Sequence, residues 1–366
     1  LRLNVLLAGS LEAVRIDESS MTLYALSSKG EARVKLNPNC RDETYLRQVR
    51  ETLSSHVLGS PGGYPVYLKR WTRMGQARDE TLESLLLLGE PEAVAAVVNA
   101  RGITDELARR AWWTSQSAEN ARCMLGQGTV VAGKMGPVLA EFLVEFLPFE
   151  EEARDQIASV RLVLQGSLVD ESVRHALWEK GRHRNALYVG FLQSMPDTLP
   201  GQTAMNAAWA EIGDRLDSLV AAGNPYALQL CRLLSPAGQA WLDTVQTVLK
   251  KPLNQDVMVE LMQAIADYFK PLPFRREQLT DMQDIVTAAA DMLDTTPGEL
   301  PQLAELLQVV PDAVQQVRAM LVLSMVGEPV LNPVFSRTDA IGTVMRKKLK
   351  PVTVPVQEQL DILAAQ

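Results

Sequence analysis

The sequence predicts a mainly α-helical protein, with α-solenoid-like helical repeats in its middle and a small α+β unit at its N-terminus. Residues 103–121 and 168–186 align without a gap, and seven of their nineteen positions are identical. From about residue 77 onward, glycines and prolines divide the chain into segments with helical spacing of apolar residues. Before that point, two short runs alternate apolar and polar residues, which is typical of strands.

The repeated positions suit a helix, a turn and a second helix. The identities are Asp105/Asp170, Glu106/Glu171, Arg109/Arg174, Ala111/Ala176, Trp113/Trp178, Asn120/Asn185 and Ala121/Ala186. Thr104 is the predicted N-cap of the first copy. Because Val169 replaces it in the second copy, we expect Asp170 to cap that helix.

One stripe of the first copy carries Glu106, Arg109 and Trp113 at i, i+3 and i+7. Glu106 can pair with Arg109, whose stem can lie along the indole of Trp113. Repeated stripes of this kind usually pack helices together, and we favour that interpretation over a ligand-stacking surface.

Residues 1–76 are the predicted α+β unit. We expect a helix at Leu3–Val14, a hairpin formed by residues 21–27 and 31–37, and a helix at Asp42–His56. The glycines and prolines of residues 59–65 break the chain before a further strand at residues 66–74.

Residues 77–199 form the predicted helical-repeat domain and residues 200–366 a C-terminal helical domain, with a linker at residues 195–202. In the repeat domain, helices are expected near 80–88, 91–100, 104–113, 117–125, 136–147, 150–165, 169–180 and 185–194. In the C-terminal domain they are expected near 203–222, 225–234, 237–250, 255–269, 275–293, 301–309, 312–326 and 356–365. The basic run Arg346–Lys350 is predicted to end a helix near Pro351, where cations suit the helix dipole.

Composition limits the function classes. The net charge of −8 argues against general nucleic-acid binding, and no DNA partner is expected. The three cysteines lie far apart, which predicts neither a disulfide framework nor a zinc site and suits a cytoplasmic protein. No apolar run reaches membrane-spanning length, and the apolar start is interpreted as a helix, not a signal peptide.

Residues 128–135 match most of a phosphate-binding loop, but Met135 stands where that loop needs a hydroxyl for magnesium. The preceding residues also have helical spacing where a strand is required, so we interpret the loop as a turn between helices. No pattern brings together a nucleophile, a base and an oxyanion donor. The sequence therefore predicts no catalytic, cofactor-binding or metal-binding residues, and no cofactor.

Two basic clusters are candidate partner-binding sites, although such clusters are more often solvated turns. The first comprises Lys69, Arg70, Trp71, Arg73 and Arg78, and the second comprises Lys180, Arg182, His183 and Arg184. Either could bind RNA or an acidic protein. Cys40 is the candidate reactive thiol, because it precedes the helix that begins at Asp42.

Much of the chain resembles the DsrS family, an accessory protein of the dissimilatory sulfite reductase gene cluster in sulfur-oxidising bacteria. The residues that carry the resemblance are 36–94, 103–113 and 135–154. The resemblance implies a cytoplasmic protein that supports sulfur oxidation, with no established catalysis or cofactor. We therefore expect a non-enzymatic accessory or regulatory protein that binds proteins of that pathway or of its expression machinery, and RNA as a further partner. The alternatives are a cysteine-dependent sulfur carrier or enzyme, and an RNA-binding post-transcriptional regulator.

Overall fold

The computed structural model describes residues 7, 9–59, 79–201, 203–204, 206, 209–273, 279–337 and 340–364. Contacts between residues divide the chain into two compact units. Unit 1 comprises Leu1–Pro148 with Gln165–Val169, and unit 2 comprises Phe149–Leu164 with Asp170–Gln366. The described residues are mostly helical, with a small antiparallel sheet near the N-terminus, as predicted. The predicted domain boundaries at 76/77 and 199/200 stay predictions.

Three strands form an antiparallel meander in unit 1: β1 Leu11–Asp17, β2 Thr22–Ser27 and β3 Gly30–Lys35. The predicted hairpin is confirmed, since Ser27 pairs with Gly30 next to the turn. The helix predicted for Leu3–Val14 is wrong over residues 11–14, which belong to β1. Pairing with β2 satisfies the backbone of this segment while it buries Val14, so tertiary context overrides its helical appearance.

The core beside the sheet is built from β1, β2 and the helix that follows β3. This helix, α1 Asp42–Leu58, confirms the prediction for Asp42–His56. Its buried residues and those of the sheet form one apolar cluster that includes Val14, Leu23, Ala25, Leu46, Val49 and Leu53. The strand predicted at residues 66–74 lies outside the described residues.

Unit 1 continues with helices that closely follow the predicted pattern. They are α2 Asp79–Leu85, α3 Pro91–Val98, α4 Asp105–Thr114, α5 Ala118–Leu125, α6 Gly128–Val131 and α7 Met135–Phe146. The single-turn helix α6 was not expected. It occupies the loop that resembles a phosphate-binding sequence.

Both copies of the sequence repeat form a helix, a turn and a second helix. The first copy contains α4 and α5, and the second contains α9 Glu171–Gly181 and α10 Asn185–Ser194. The predicted caps are confirmed: the Thr104 hydroxyl accepts a hydrogen bond from the Leu107 amide, and the Asp170 carboxylate accepts one from the Val173 amide.

The repeated ion pairs form, but the repeated tryptophans have different surroundings. Arg109 lies 2.7 Å from Glu106. The indole N–H of Trp113 donates to Glu31 of β3 at 3.0 Å. Trp178 is buried in unit 2, with ring centroids 4.6 Å from Tyr188 and 5.1 Å from Phe191. The repeat therefore preserves the helices, whereas the N-cap residues differ between the copies and each tryptophan packs according to its own unit.

Asp105 joins α4 to the start of α7. Its carboxylate accepts hydrogen bonds from the amides of Lys134 at 3.0 Å and Met135 at 2.9 Å. These amides would otherwise lack partners at the helix N-terminus, where negative charge is favoured. The contact requires glycine at position 133, because a Cβ there would lie 2.1 Å from the Asp105 carboxylate.

Unit 2 is an assembly of helices. In addition to α9 and α10, they are α8 Ala153–Val163, α11 Trp209–Ala221, α12 Pro225–Leu234, α13 Pro236–Lys250, α14 Gln255–Tyr268, α15 Met282–Glu299, α16 Pro301–Val309, α17 Val314–Met325, α18 Asn332–Phe335 and α19 Gly342–Leu363. Short 3-10 helices of unit 2 lie at Pro311–Ala313 and Glu328–Leu331, and another, Leu147–Phe149, spans the boundary in the chain between the two units.

Helix α10 lies at the centre of unit 2. Seven consecutive residues, from Ala186 to Leu192, are buried, because α8, α9, α13 and α14 all pack against this helix. Gly190 permits the close approach of α8, since a Cβ there would lie 2.7 Å from the Cβ of Val160. Burial of each large side chain, such as Phe191, contributes about 1.5–3 kcal/mol.

The longest helix of the described residues corrects the sequence prediction. Arg346–Lys350 does not end a helix near Pro351, because α19 continues through Pro351 and Pro355. Its buried face is continuous across both prolines and comprises Met345, Leu349, Val352, Val356, Leu360 and Leu363. Pro351 is exposed, so water can bind the carbonyl that loses its helical partner, and apolar packing holds the helix together.

Among the described residues, no single helix has both the length and the hydropathy needed to cross a membrane. Pro301–Val309 and Pro311–Met325 together meet that test by length and composition, with a bend of 109° between them.

We predict that Asp105→Ala lowers the free energy of unfolding by about 1–2 kcal/mol, because two helix-terminal amides lose their acceptor. Urea unfolding followed by circular dichroism measures the change. Glu141→Ala is the matched control, since Glu141 is an exposed carboxylate within α7 and should change the value by less than about 0.5 kcal/mol. Equal effects of the two substitutions would contradict the assigned role of Asp105.

A second prediction concerns pH. The hydrogen bond from Arg109 lowers the pKa of Glu106 from its ordinary value of 4.5 to about 2. The stability that this ionised carboxylate contributes is therefore present above about pH 4.5 and is lost as the pH falls toward about 2. We expect Glu106→Gln to destabilise the protein by less than about 1 kcal/mol at pH 7, because the pair is half exposed.

Urea unfolding at stepwise lower pH measures the difference in the free energy of unfolding between Glu106→Gln and the wild type. This difference should shrink below pH 4.5. For Glu141→Gln, which removes a carboxylate of α7, the difference should stay near zero throughout. If the destabilisation by Glu106→Gln grows as the pH falls, the loss of the ion pair with Arg109 is not its cause.

A candidate partner-binding surface

The turn between α9 and α10 carries the second predicted basic cluster. Its four members, Lys180, Arg182, His183 and Arg184, are all exposed. Arg182 forms an ion pair with Glu179 at 3.2 Å. Because α10 is buried by its neighbours, this turn has a fixed place at one end of that helix.

The end of α13 lies beside this turn. The Asn185 side-chain amide donates to the carbonyl oxygen of Lys251 at 2.6 Å. Lys250 and Lys251 are exposed, so their ammonium groups extend the charge of the turn. Asn185 is a repeated residue, and in unit 2 its role is to join these two segments.

The first half of α19 completes the arrangement. The Arg346 guanidinium lies 3.5 Å from the carbonyl oxygen of Pro252, and Lys250, Arg346 and Lys350 line one groove. Three separate segments therefore supply one surface, which we call the basic surface. Its members are Lys180, Arg182, His183, Arg184, Lys250, Lys251, Arg346 and Lys350.

The cations of this surface are largely unneutralised. Within the described part of the chain, no carboxylate lies at ion-pair distance from Lys180, Arg184, Lys250, Lys251, Arg346 or Lys350. Lys180 and Arg182 lie at the C-terminal end of α9, where the dipole favours cations, whereas Arg184 faces the positive end of the α10 dipole, which is unfavourable. Arg346 and Lys350 repel each other at i and i+4, typically by about 0.2–0.5 kcal/mol. These cations lie close together although the α10 dipole and their mutual repulsion disfavour it. Such an arrangement suits the binding of an anionic partner.

The dipole explanation for the basic run of α19 is wrong. It required a helix that ends near Pro351, but α19 ends at Leu363, so Arg346–Lys350 lies in its N-terminal half. The dipole there gives no stabilisation to cations. Sequence reasoning missed Arg346 and Lys350 as site residues for this reason. The apolar spacing that continues beyond Pro351 was the signal that could have found them.

The first basic cluster, Lys69, Arg70, Trp71, Arg73 and Arg78, lies outside the described residues.

Cys40 is exposed just before α1. Burial raises the pKa of the Cys123 thiol and raises that of the Cys231 thiol to about 11. At neutral pH these two thiols are therefore poor nucleophiles, and Cys40 is the most exposed of the three cysteines.

The structure shows that residues 128–135, which resemble a phosphate-binding loop, are not arranged to bind phosphate. The amides of Lys134 and Met135, which a phosphate would need, are bound to the Asp105 carboxylate. The loop is a turn between α5 and α7, as interpreted from the sequence. In the residues for which side chains are described, no group of three or more His, Cys, Asp or Glu could hold a metal ion.

Comparisons with protein-family models, with curated proteins and with solved structures find no match to this chain.

Proposed function

We propose that this chain is a non-enzymatic cytoplasmic accessory protein that supports dissimilatory sulfur oxidation by binding a protein of that pathway or of its expression machinery. The resemblance of its sequence to the DsrS family supports the choice of pathway. The observation that carries the binding role is the basic surface on unit 2, where, within the described residues, no carboxylate lies at ion-pair distance from any arginine or lysine except Arg182. Its partner is therefore acidic on the contacting face.

We further propose that stacked helix pairs present this surface in the manner of an α-solenoid. The repeated helix, turn and helix of residues 103–121 and 168–186 support this idea. Solenoid proteins stack their repeats into extended concave surfaces that they use for binding. In this proposal, the turn between α9 and α10 lies at the edge of such a surface.

RNA is the second class of partner for the basic surface. A protein partner is favoured because the whole chain carries a net charge of −8, which disfavours a long polyanion. Binding to RNA would also be expected to use exposed aromatic rings, and the groove lined by Lys250, Arg346 and Lys350 has none among its lining residues.

We predict that full-length protein captures pathway proteins from cells grown on reduced sulfur compounds, with and without nuclease treatment. The double substitution Arg184→Glu and Lys251→Glu should reduce capture at least about tenfold, because it reverses two adjacent charges of the basic surface. Quantitative mass spectrometry measures the captured proteins.

The matched control is Lys270→Glu with Arg337→Glu. Both residues are exposed in unit 2 and neither belongs to the basic surface. This control changes the net charge by the same amount as Arg184→Glu with Lys251→Glu. The amount of captured protein should stay within about twofold of the wild-type amount. Capture that disappears with nuclease would instead support the RNA-binding alternative. A purified wild-type protein that converts a sulfur compound much faster than its cysteine-free variant would reject the non-enzymatic proposal.

The alternative of a sulfur carrier or sulfur-handling enzyme depends on Cys40, the exposed thiol. We predict that iodoacetamide at neutral pH modifies Cys40 first. Reaction at Cys231 should become substantial only as the pH approaches its pKa of about 11, because the thiolate is the reactive form.

Peptide mass spectrometry at timed intervals follows each site, with free N-acetylcysteine as the reference. A Cys40 rate close to that of the reference supports the accessory role. A rate many times faster would favour the cysteine-dependent alternative.

A further inference from the structure

A groove of about 550 Å³ lies between the end of α13 and α19 in unit 2. Leu249 and Leu349 are buried at its base, whereas Val354 remains 47% exposed on its wall. An uncovered apolar side chain beside a buried apolar base can accept an apolar group of a ligand.

Charge is segregated along this groove. Arg346 and Lys350 lie at one end of its α19 wall, whereas Glu358 and Asp361 lie toward the other. At a rise of 1.5 Å per residue, Arg346 and Asp361 are about 22 Å apart along the helix. Two amides hold the Asp361 carboxylate in place, from Gln246 at 2.9 Å and Gln357 at 2.7 Å. The groove therefore has a cationic end, an apolar middle and an anionic end.

We propose that this groove binds a charge-segregated amphipathic segment of the protein partner, and this inference rests on the proposed function. The carboxylates of the segment face Lys250, Arg346 and Lys350, and an apolar side chain packs on Val354. A cation of the segment faces the anionic end. A helical segment of about fifteen residues spans that distance.

The same groove is unsuited to RNA. Its carboxylates would repel phosphate groups, and its lining, which is made entirely of described residues, contains no aromatic ring on which a base could stack. A peptide satisfies both charged ends and the apolar middle. The chemistry of the groove therefore selects a protein segment over a polyanion.

The test uses the full-length protein and a fluorescein-labelled helical peptide of about fifteen residues. The peptide carries glutamates at one end, leucines at helical spacing in the middle and lysines at the other end. Fluorescence anisotropy at physiological salt should give saturable binding. Arg346→Glu and Lys350→Glu should each weaken that binding at least about tenfold, because each reverses a cation of the groove.

Lys348→Glu is the matched control, since Lys348 is exposed on the same helix but does not line the groove. It should weaken binding less than about twofold, because it changes only the general field. Val354→Ser should weaken binding of the leucine peptide about fivefold and leave unchanged the affinity of a peptide with serine in place of leucine. Circular dichroism confirms that each variant is folded.

The proposal is overturned if the wild type does not bind the peptide or if Lys348→Glu acts as strongly as Lys350→Glu. Displacement of the peptide by an RNA oligonucleotide of matched charge at a lower concentration would also overturn it. If cell capture retains the same pathway protein with wild type and Lys350→Glu, the groove proposal fails and the proposed function stands. A wild type that captures no protein would instead reject the proposed function.

Discussion

A helix that is apolar on every side must be covered on every side, and α10 imposes this constraint on unit 2. Seven consecutive buried residues leave α10 no solvent-facing stripe. The helices α8, α9, α13 and α14 cover it, and Gly190 allows α8 to approach closely. This packing places the polar and charged ends of the covering helices at the surface.

The basic surface is a consequence of that packing. The residues before α10 are cationic, and Asn185 at its start donates to Lys251, just beyond the end of α13. Helix α19 packs against α13 and brings Arg346 and Lys350 to the same region. Within the described residues, Arg182 forms an ion pair with Glu179, whereas no carboxylate lies at ion-pair distance from Lys180, Arg184, Lys251, Arg346 or Lys350. Electrostatic repulsion between them is tolerated because the apolar core supplies far more free energy than the surface repulsion removes.

In unit 1, Asp105 shows how a single carboxylate can decide between two interpretations of a motif. Its hydrogen bonds to the Lys134 and Met135 amides occupy the positions that a bound phosphate would take. In the second copy of the repeat, Asp170 caps its own helix. Identical residues at equivalent positions thus perform different tasks, because the surrounding helices differ.

The sequence by itself determined the local features of this protein. The positions of many helices, the caps at Thr104 and Asp170 and the hairpin next to Ser27 follow from residues close in the chain, which is why they were predictable. Tertiary structure decided whatever depends on distant partners. β1 forms because β2 pairs with it, and α19 continues through Pro351 because apolar packing offsets the lost hydrogen bond. Tertiary structure also brings the three basic segments together on one surface. The sequence of each segment does not indicate which other segments lie beside it in the fold.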